Sequence, residues 1–363
     1  MNLLVQPRDG TAPLIKAIKR AKKSIEIVIF RFDEAAIERA LVEAAGRGVL
    51  VQALIAFTNR GGEKNLRNLE MRFLAKGITV ARTADDLVRY HGKILIVDRR
   101  ELFVLACNFT HLDIKRSRSF GIVTSNKKLV QEAIRLFECD TKRQEYKSQS
   151  RKLLVSPANA RERLEKFLKG AKQELLIYDV KLSDRSMVRI LEERLRAGVK
   201  LQIIGRVGRR NHLVARSLGG MRLHARVIIR DRREAFLGSQ SLRKIELDNR
   251  REIGIVIGAR KVVNQLIAVF EGDWAASSSF KAVDMWKNLP APSANGKPKA
   301  LAKVVARRVP VAPVVRQVAE VIHKAANVQL DRKEVKETVE QAVKVALKKA
   351  VRKATEEVVE RAG

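Results

Sequence analysis

Two stretches of the chain, SIEIVIFRFDEAAIERALVEAAGRGVLVQALI at residues 24–55 and QELLIYDVKLSDRSMVRILEERLRAGVKLQII at residues 173–204, share one pattern. Each begins with an apolar run, continues with apolar residues at helical spacing, and reaches a second apolar run after a glycine, Gly48 or Gly198. The pattern predicts a strand, an amphipathic helix and a second strand. Such a unit has a right-handed crossover and parallel strands covered by helices. The sequence therefore predicts an α/β protein made of two repeats.

The second repeat is shorter than the first. The two glycines are 150 residues apart, whereas His91 and His224, which follow them, are 133 apart. The second repeat therefore lacks about one helix-sized segment, and a deletion of this kind is tolerated in a connection. Each repeat ends in a further helical pattern, at residues 129–144 and 262–277.

The composition changes after Trp286. The stretch NLPAPSANGKPKA is rich in Pro, Ser and Gly, which predicts a linker. Beyond it, Val and Leu recur at every fourth position, which indicates a narrow apolar stripe on a charged helix. The predicted organisation is a first repeat at 1–147, a second repeat at 148–288, a flexible linker at 289–312 and a Lys/Ala/Val-rich helical tail at 313–363.

The chain is strongly basic, with 74 Lys and Arg against 40 Asp and Glu and a formal net charge of +34. Residues 291–363 hold 16 basic and 8 acidic residues, so +26 of this charge belongs to residues 1–290. The globular part itself therefore presents positive surface. This favours a polyanionic partner, for which an anionic membrane and nucleic acid both qualify.

The cysteines and the lengths of the apolar runs indicate the cellular compartment. The two cysteines, Cys107 and Cys139, have no metal-ligand spacing, so neither a disulfide framework nor a zinc site is expected. The start MNLLVQPRDG lacks a signal pattern, and no run of 18 apolar residues occurs. We expect a cytoplasmic protein, either free or peripheral to the inner face of the membrane.

The first chemical motif is YHGKILIVDRRELFVLACNFT at residues 90–110. His91 and Lys93 stand two apart at the start of an apolar run, and side chains two apart on a strand point to the same face. An imidazole and an ammonium group would therefore converge. Asp98 lies at an odd interval from His91, so we assign it to holding the following turn rather than to contact with substrate.

The second motif, LHARVIIRDRREAFLGSQS at residues 223–241, repeats that spacing with His224, Arg226 and Asp231. A single histidine two residues before a cation is usually an ordinary histidine, because such pairs are frequent. Its recurrence at equal positions in duplicated units favours a functional pair. Two basic runs near this motif, RVGRRNH at 206–212 and RDRRE at 230–234, are expected to steer an anionic substrate.

Together the motifs resemble the paired H-x-K-x-x-x-x-D motifs of the phospholipase D superfamily, over about residues 1–288. The family's downstream G-S-x-N signature is kept in part by each repeat, as Asn108 in the first and Ser239 in the second. Its N-x-E-x-G-like element is resembled by residues 249–254, which include Glu252. The resemblance implies two pseudo-symmetric α/β/α sandwich repeats with mixed, largely parallel sheets, arranged as a monomer with an intramolecular pseudo-dimer.

The resemblance also implies a two-step displacement at a phosphodiester, in which His91 is the nucleophile and His224 the general acid. Their pKa values are expected on either side of neutrality. A carboxylate such as Glu252 would orient one histidine, and the sequence leaves open which one. Cofactors and metals are not expected. The predicted site residues are His91, His224, Lys93, Arg226, Asn108, Ser239 and Glu252, of which Lys93, Arg226, Asn108 and Ser239 would hold the phosphate oxygens, with Asp98 and Asp231 in the turns.

Three functions remain open. A phospholipid phosphodiesterase or phosphatidyltransferase, similar to phospholipase D or cardiolipin synthase, is favoured because fused double-motif chains resemble that branch. A metal-independent nuclease would suit the +26 charge, although only 5% of residues are aromatic, which leaves few rings to stack bases. A decayed polyanion-binding protein is the third, because the second motif has Arg226 in place of Lys. In the first two cases neither repeat should be active alone.

Overall fold

The predicted strand–helix–strand units are present in the computed structural model, which describes residues 1–58, 63–208 and 212–279. The predicted linker and tail lie outside these residues. The elements of the first half are β1 (Asn2–Gln6), α1 (Ala12–Arg20), β2 (Ser24–Ile29), α2 (Ala35–Gly46), β3 (Leu50–Ile55), α3 (Glu63–Leu74), β4 (Thr79–Arg82), β5 (Arg89–Tyr90), β6 (Ile94–Val97), β7 (Glu101–Leu105), α4 (His111–Lys115), β8 (Ser117–Thr124) and α5 (Lys127–Lys142).

The second half repeats this order and ends in an additional short strand. Its elements are β9 (Leu153–Ser156), α6 (Ala160–Lys169), β10 (Glu174–Leu182), α7 (Arg185–Arg196), β11 (Lys200–Val207), β12 (Ala215–Ser217), β13 (Arg222–Leu223), β14 (Arg226–Arg230), β15 (Glu234–Gly238), α8 (Lys244–Asp248), β16 (Arg250–Ile257), α9 (Arg260–Ala275) and β17 (Ser278–Ser279). Among the described residues, no counterpart of α3 stands between β11 and β12. The predicted boundary at 147/148 lies in the connection between α5 and β9.

Each half contributes most of one sheet. The first sheet has the order β1-β8-β7-β6-β2-β3-β4, and the second has β17-β12-β11-β10-β14-β15-β16-β5. The mixed α/β fold is confirmed. The parallel share is smaller than the largely parallel sheets predicted, because the crossover units give the parallel pairs β2/β3 and β10/β11, whereas the hairpin after each histidine adds antiparallel strands.

The helices form layers on both faces of these sheets. The helices α1, α2 and α3 cover the outer face of the first sheet, and α6 and α7 cover that of the second. The inner faces of both sheets share one apolar cluster with α5 and α9. Strand β6 is buried throughout, with Ile94 and Ile96 in the shared cluster and Leu95 and Val97 in the outer one, so the run is apolar on both faces.

Two short strands cross between the halves. Strand β5 of the first half pairs with β16 of the second, and β13 of the second pairs with β8 of the first. Each of these strands immediately precedes one of the two motif histidines. The exchange therefore places each histidine against the sheet of the opposite half.

No helix of the described residues has the length and apolar composition that a bilayer span requires.

Candidate active site

His91 is held in place by the opposite half of the molecule. It lies in the connection between β5 and β6, rather than on a regular strand as predicted, and its backbone N–H donates to the Arg251 carbonyl at 2.7 Å. The next residue, Gly92, gives room for β16, because a Cβ there would lie 2.5 Å from Ile253 Cδ1. A glycine between His91 and Lys93 thus lets this segment pass close to β16.

The imidazole of His91 lies between a carboxylate and an ammonium group. Its Nδ1 is 2.8 Å from Glu252 Oε2, and Lys93 Nζ lies 2.9 Å from its Nε2. Glu252 has no exposed side-chain surface, and the Phe30 ring packs edge-on against the imidazole at 4.4 Å between centroids. If Nδ1–H donates to Glu252, the lone pair is on Nε2, where it accepts from Lys93 Nζ in the empty site. Glu252 therefore orients His91, which answers the question that the sequence left open.

His224 is placed in the same way. Its backbone N–H donates to the Arg118 carbonyl at 3.0 Å, and its own carbonyl accepts the Ser119 hydroxyl at 3.0 Å. The ring Nδ1 lies 3.3 Å from Oδ2 of Asp113 and makes no hydrogen bond in the described residues, so the two groups form an ion pair only when His224 is protonated. Asp113 was not predicted as a site residue. Because Asp113 belongs to α4, this carboxylate also comes from the opposite half.

Arg226 offers a free donor at the site. Its side chain is buried, and Nε donates to the Ser241 hydroxyl at 3.3 Å. Its Nη1 has no hydrogen-bond partner among the described residues. A buried guanidinium without partners on all its donors is costly, and an anion such as a phosphate oxygen would satisfy it. The position predicted to bind phosphate thus has a donor free to do so.

Ser239 and Asn108 make other contacts than the phosphate contacts predicted for them. Ser239 is fully buried, and its hydroxyl accepts the Ile253 N–H at 3.0 Å, because the residue faces β16. The Asn108 side-chain amide donates to Asp113 Oδ2 at 2.6 Å. Ser239 therefore supports β16, which carries Glu252, and Asn108 supports α4, which carries Asp113.

The two aspartates of the motifs hold turns, as assigned from the sequence. Asp98 accepts backbone N–H groups from residues 22–24 at 2.6–3.1 Å, where α1 leads into β2. Asp231 accepts the N–H groups of residues 172–174 at 2.7–3.1 Å. Both also have positive φ angles, 52° and 50°. They fix the start of β2 and of β10. Asp98 follows β6 and Asp231 follows β14, each at the end of its strand that is remote from the motif histidine.

The charged groups of the two halves influence one another. Burial lowers the pKa of His91 well below its usual value, and Lys93 and Arg226 lower it further. Burial and Arg226 act on the pKa of His224 in the same direction, against the effect of Asp113. Burial also lowers the pKa of Lys93, to about 7, and raises that of Glu252. Both histidines are therefore neutral at pH 7 in the empty site, unlike the split predicted, because each is buried beside cations.

The run at 230–234 does not lie at the site. It begins with the last residue of β14, at the end remote from His224, and two of its three arginines are paired: Arg230 with Glu234, and Arg232 with Glu174 and Glu271. The position of the run at this end of β14 does not support the expected role in steering substrate. Of the other run, Arg209 and Arg210 lie outside the described residues.

Asp113 could have been found from the spacing of the repeats. It stands 22 residues after His91, and the residue 22 after His224 is Glu246, which is also buried. A carboxylate at matching positions of both repeats was a usable signal. Which ring each carboxylate approaches depends on the exchange between halves, which the sequence alone does not reveal.

Comparison with known proteins gives the fold and the family. The family described as cardiolipin synthase, PLD-like domain, matches residues 14–141 and 164–274, and no curated protein matches the chain. Polyphosphate kinase from Porphyromonas gingivalis superposes with a TM-score of 0.64 at 21% identity, over 74% of this chain and 46% of that one, so this chain spans less than half of the kinase.

Two further solved structures are similar to the chain. Phosphatidylserine synthase from Haemophilus influenzae Rd KW20 has a TM-score of 0.60 and 12% identity, over 77% of this chain and 86% of that one. The phospholipase D family member Nuc from Salmonella typhimurium has 24% identity and a TM-score of 0.36, over 41% of this chain and 97% of that one. Because the family match covers more than half of the sequence, and each matched segment contains one histidine motif, this chain belongs to the phospholipase D superfamily.

Proposed function

We propose that the protein is a metal-independent phosphodiesterase or phosphatidyltransferase that acts on phospholipids through a phosphohistidine intermediate. The observation that carries this proposal is the pair of buried histidines, each next to a cation of its own half and a carboxylate of the other half. This arrangement supplies a nucleophile, a proton donor and positive charge for one phosphate group.

In the first step, His91 Nε2 attacks phosphorus and forms a P–N bond while the P–O bond to the leaving alcohol breaks. His224 gives its ring proton to that alcohol oxygen. Because His224 is neutral in the empty site, it must take up this proton as substrate binds, and the negative charge of the phosphodiester favours this uptake. In the second step, water or an alcohol attacks phosphorus, His224 takes its proton, and the P–N bond breaks.

Lys93 and Arg226 contribute positive charge to the site from the two halves of the molecule. Both lower the pKa of both histidines, so their charges act across the two halves. In the transition state, charge builds up on the non-bridging oxygens, where Lys93 Nζ and the free Nη1 of Arg226 stabilise it. Two cations therefore neutralise the phosphate without a cofactor.

The substrate class is supported by the family description, which refers to cardiolipin synthase. A glycerophospholipid headgroup presents one phosphodiester, which matches a site with one free arginine donor and one buried lysine. The positive charge of residues 1–290 suits approach to an anionic bilayer. We therefore place the protein at the surface of an anionic membrane.

A metal-independent nuclease is the second candidate, and the net charge of +26 on residues 1–290 favours it. To separate the two, the full-length protein is incubated in chelator with phosphatidylglycerol vesicles, phosphatidylcholine vesicles, and single- and double-stranded DNA. His91→Ala serves as the inactive variant, and His212→Ala, which removes an exposed histidine, as the matched control.

We expect lipid headgroup release or exchange that His91→Ala abolishes and His212→Ala keeps, with DNA intact. Cleaved DNA with intact lipid would overturn the proposal in favour of the nuclease. Binding of both polyanions without turnover, weakened by salt, would instead indicate a decayed enzyme.

A further inference from the structure

We propose that Asp113 is the positioning residue of His224, and that it replaces a carboxylate which the first repeat lacks at Ser119. The proposal rests on the proposed function, because it explains how the general acid of that reaction is held. It assigns a role to a residue that lies outside both histidine motifs.

The two repeats show where a carboxylate is missing. His91 N–H bonds to the Arg251 carbonyl, and the residue after Arg251 is Glu252, which reaches the His91 ring. By the same geometry His224 N–H bonds to the Arg118 carbonyl, and the residue after Arg118 is Ser119. The equivalent position in the first repeat therefore carries a hydroxyl.

Ser119 does not reach the ring of His224. Its hydroxyl donates to the backbone carbonyl of His224 at 3.0 Å, and the residue is fully buried. It can hold the backbone but cannot carry the negative charge that an imidazolium needs beside it. A protonated His224 would therefore lack a counter-ion at this position.

Asp113 supplies the charge from a different direction. Its Oδ2 lies 3.3 Å from His224 Nδ1, and its side chain is 3% exposed. The Asn108 backbone N–H and side-chain amide donate to Oδ2 at 2.9 and 2.6 Å, and Arg222 Nη1 lies 2.6 Å from Oδ1. Although burial opposes ionisation, His224, Asn108 and Arg222 together keep the pKa of Asp113 below its usual value.

The matching residue of the second repeat has a different task. Glu246 accepts the Ser241 N–H at 2.7 Å and pairs with Arg243 and Arg250. It braces α8 and acts on His91 only through its charge, which raises the pKa of His91, whereas Glu252 makes the hydrogen bond to the ring. The same fold position thus holds a carboxylate bonded to Arg243 and Arg250 in the second repeat and a carboxylate that lies against the His224 ring in the first.

Each histidine is therefore oriented from the opposite half, His91 by Glu252 and His224 by Asp113. The contact at Asp113 is longer and is shared with Asn108 and Arg222, whereas the contact at Glu252 is a direct hydrogen bond. A carboxylate that also bonds other donors stabilises an imidazolium less strongly, which suits a residue that must release its proton. The asymmetry fits His224 as the acid and His91 as the nucleophile.

The test measures the pKa of the His224 ring directly, so it does not depend on turnover. In full-length protein with isotope-labelled histidine, NMR titration follows His224 in the wild type, in Asp113→Asn and in Asp113→Asn/Ser119→Glu. We expect Asp113→Asn to lower the pKa of His224 by about one unit, with His91 little changed, and Ser119→Glu to restore it at least in part. An unchanged His224 titration in Asp113→Asn would overturn the proposal.

A matched control separates this effect from loss of stability. Glu70 is a buried carboxylate held by Arg67 and Arg82, away from the histidines. Glu70→Gln should leave the titration of His224 unchanged while costing stability as Asp113→Asn does. A shift of His224 in Glu70→Gln equal to that in Asp113→Asn would show a general structural effect and would also overturn the proposal.

Turnover supplies a second readout. With a phosphodiester whose leaving group is an alkyl alcohol, Asp113→Asn should reduce kcat by about 10²-fold, and with an aryl leaving group that needs no proton by only a few-fold. Equal losses on both substrates would contradict a role through the general acid. If the His224 shift is found but no phosphodiester is turned over, the proposed function fails while the Asp113 contact stands.

Discussion

His91 and His224 occupy equivalent positions in the two halves, yet the groups around them differ. The ring of His91 contacts Lys93, and its Nδ1 donates to Glu252 at 2.8 Å. The ring of His224 has Arg226 as its cation and a more distant carboxylate, Asp113, at 3.3 Å. The backbone contacts that hold the two histidines match, so duplication conserved the framework while the charged side chains diverged. A site with two unequal histidines can assign them different steps of one reaction.

The largest effect is expected from removing the charge beside His91. Glu252→Gln keeps the shape of the side chain but no longer fixes the tautomer that leaves Nε2 free, so kcat should fall by roughly 10²- to 10³-fold. Ser119→Ala, at the equivalent place in the first repeat, is the matched variant and should cost only a few-fold. Initial rates on the same phospholipid vesicles compare the two. Equal losses of kcat in the two variants would mean that the surroundings of His91 and His224 are not specialised.

Exchanging the cation on the other side should have a smaller effect. Arg226→Lys loses the Nε contact with Ser241 and one arm of the guanidinium, so kcat/KM should fall by about 10-fold, mostly through KM. Steady-state kinetics on phosphatidylglycerol measure this loss. A gain of activity would instead indicate that Arg226 is a relic of decay.

The contribution of Lys93 to binding an anion should depend on pH. Because burial lowers the pKa of Lys93 to about 7, its charge is present below that value and is lost as the pH rises through it. The affinity for an unreactive phosphonate analogue should therefore fall several-fold between about pH 6 and pH 9. Calorimetric titration measures it, and an analogue avoids the proton transfer to a leaving group.

Lys93→Arg supplies the control for this pH effect. Arginine keeps its charge throughout, and the equivalent place in the second half already holds Arg226. The affinity of Lys93→Arg for the phosphonate analogue should be nearly constant over the same pH range. A wild-type affinity that does not change with pH would show that Lys93 stays charged and would remove this difference between the sides.

The smallest effect on catalysis is expected at the turn aspartates, where the two halves are alike. Asp98→Ala removes an acceptor from three backbone N–H groups and should lower the free energy of unfolding by about 1–2 kcal/mol, with kcat unchanged. Asp231→Ala should behave in the same way. Thermal unfolding and kinetics of both variants check this, and a large loss of kcat at unchanged Tm would place Asp98 in the chemistry.

Much of the fold and part of the site could be predicted from the sequence. The strand, helix and turn signals of the repeats are local, so β2, α2 and β3 follow one another within residues 24–55, as the pattern predicts. The paired histidines were found because duplication repeats their spacing. The turn role of Asp98 followed from strand periodicity alone.

The contacts that cross between halves could not be predicted in this way. The exchange of β5 and β13 joins segments more than 100 residues apart, and it decides that Glu252 faces His91. Asp113 was missed for the same reason. The contacts of Ser239 and Asn108 depend on which side of a strand or turn they face after this exchange, and the low pKa values of both histidines depend on burial.

The central claim, that His91 is the nucleophile and His224 the general acid, is tested by trapping the intermediate. The full-length wild type, His91→Ala and His224→Ala are mixed with a phosphorus-labelled aryl phosphodiester, quenched in base, and examined for label on protein. An aryl leaving group needs no general acid, so we predict acid-labile label on the wild type and on His224→Ala, and none on His91→Ala. Label retained by His91→Ala and lost by His224→Ala would contradict the assignment.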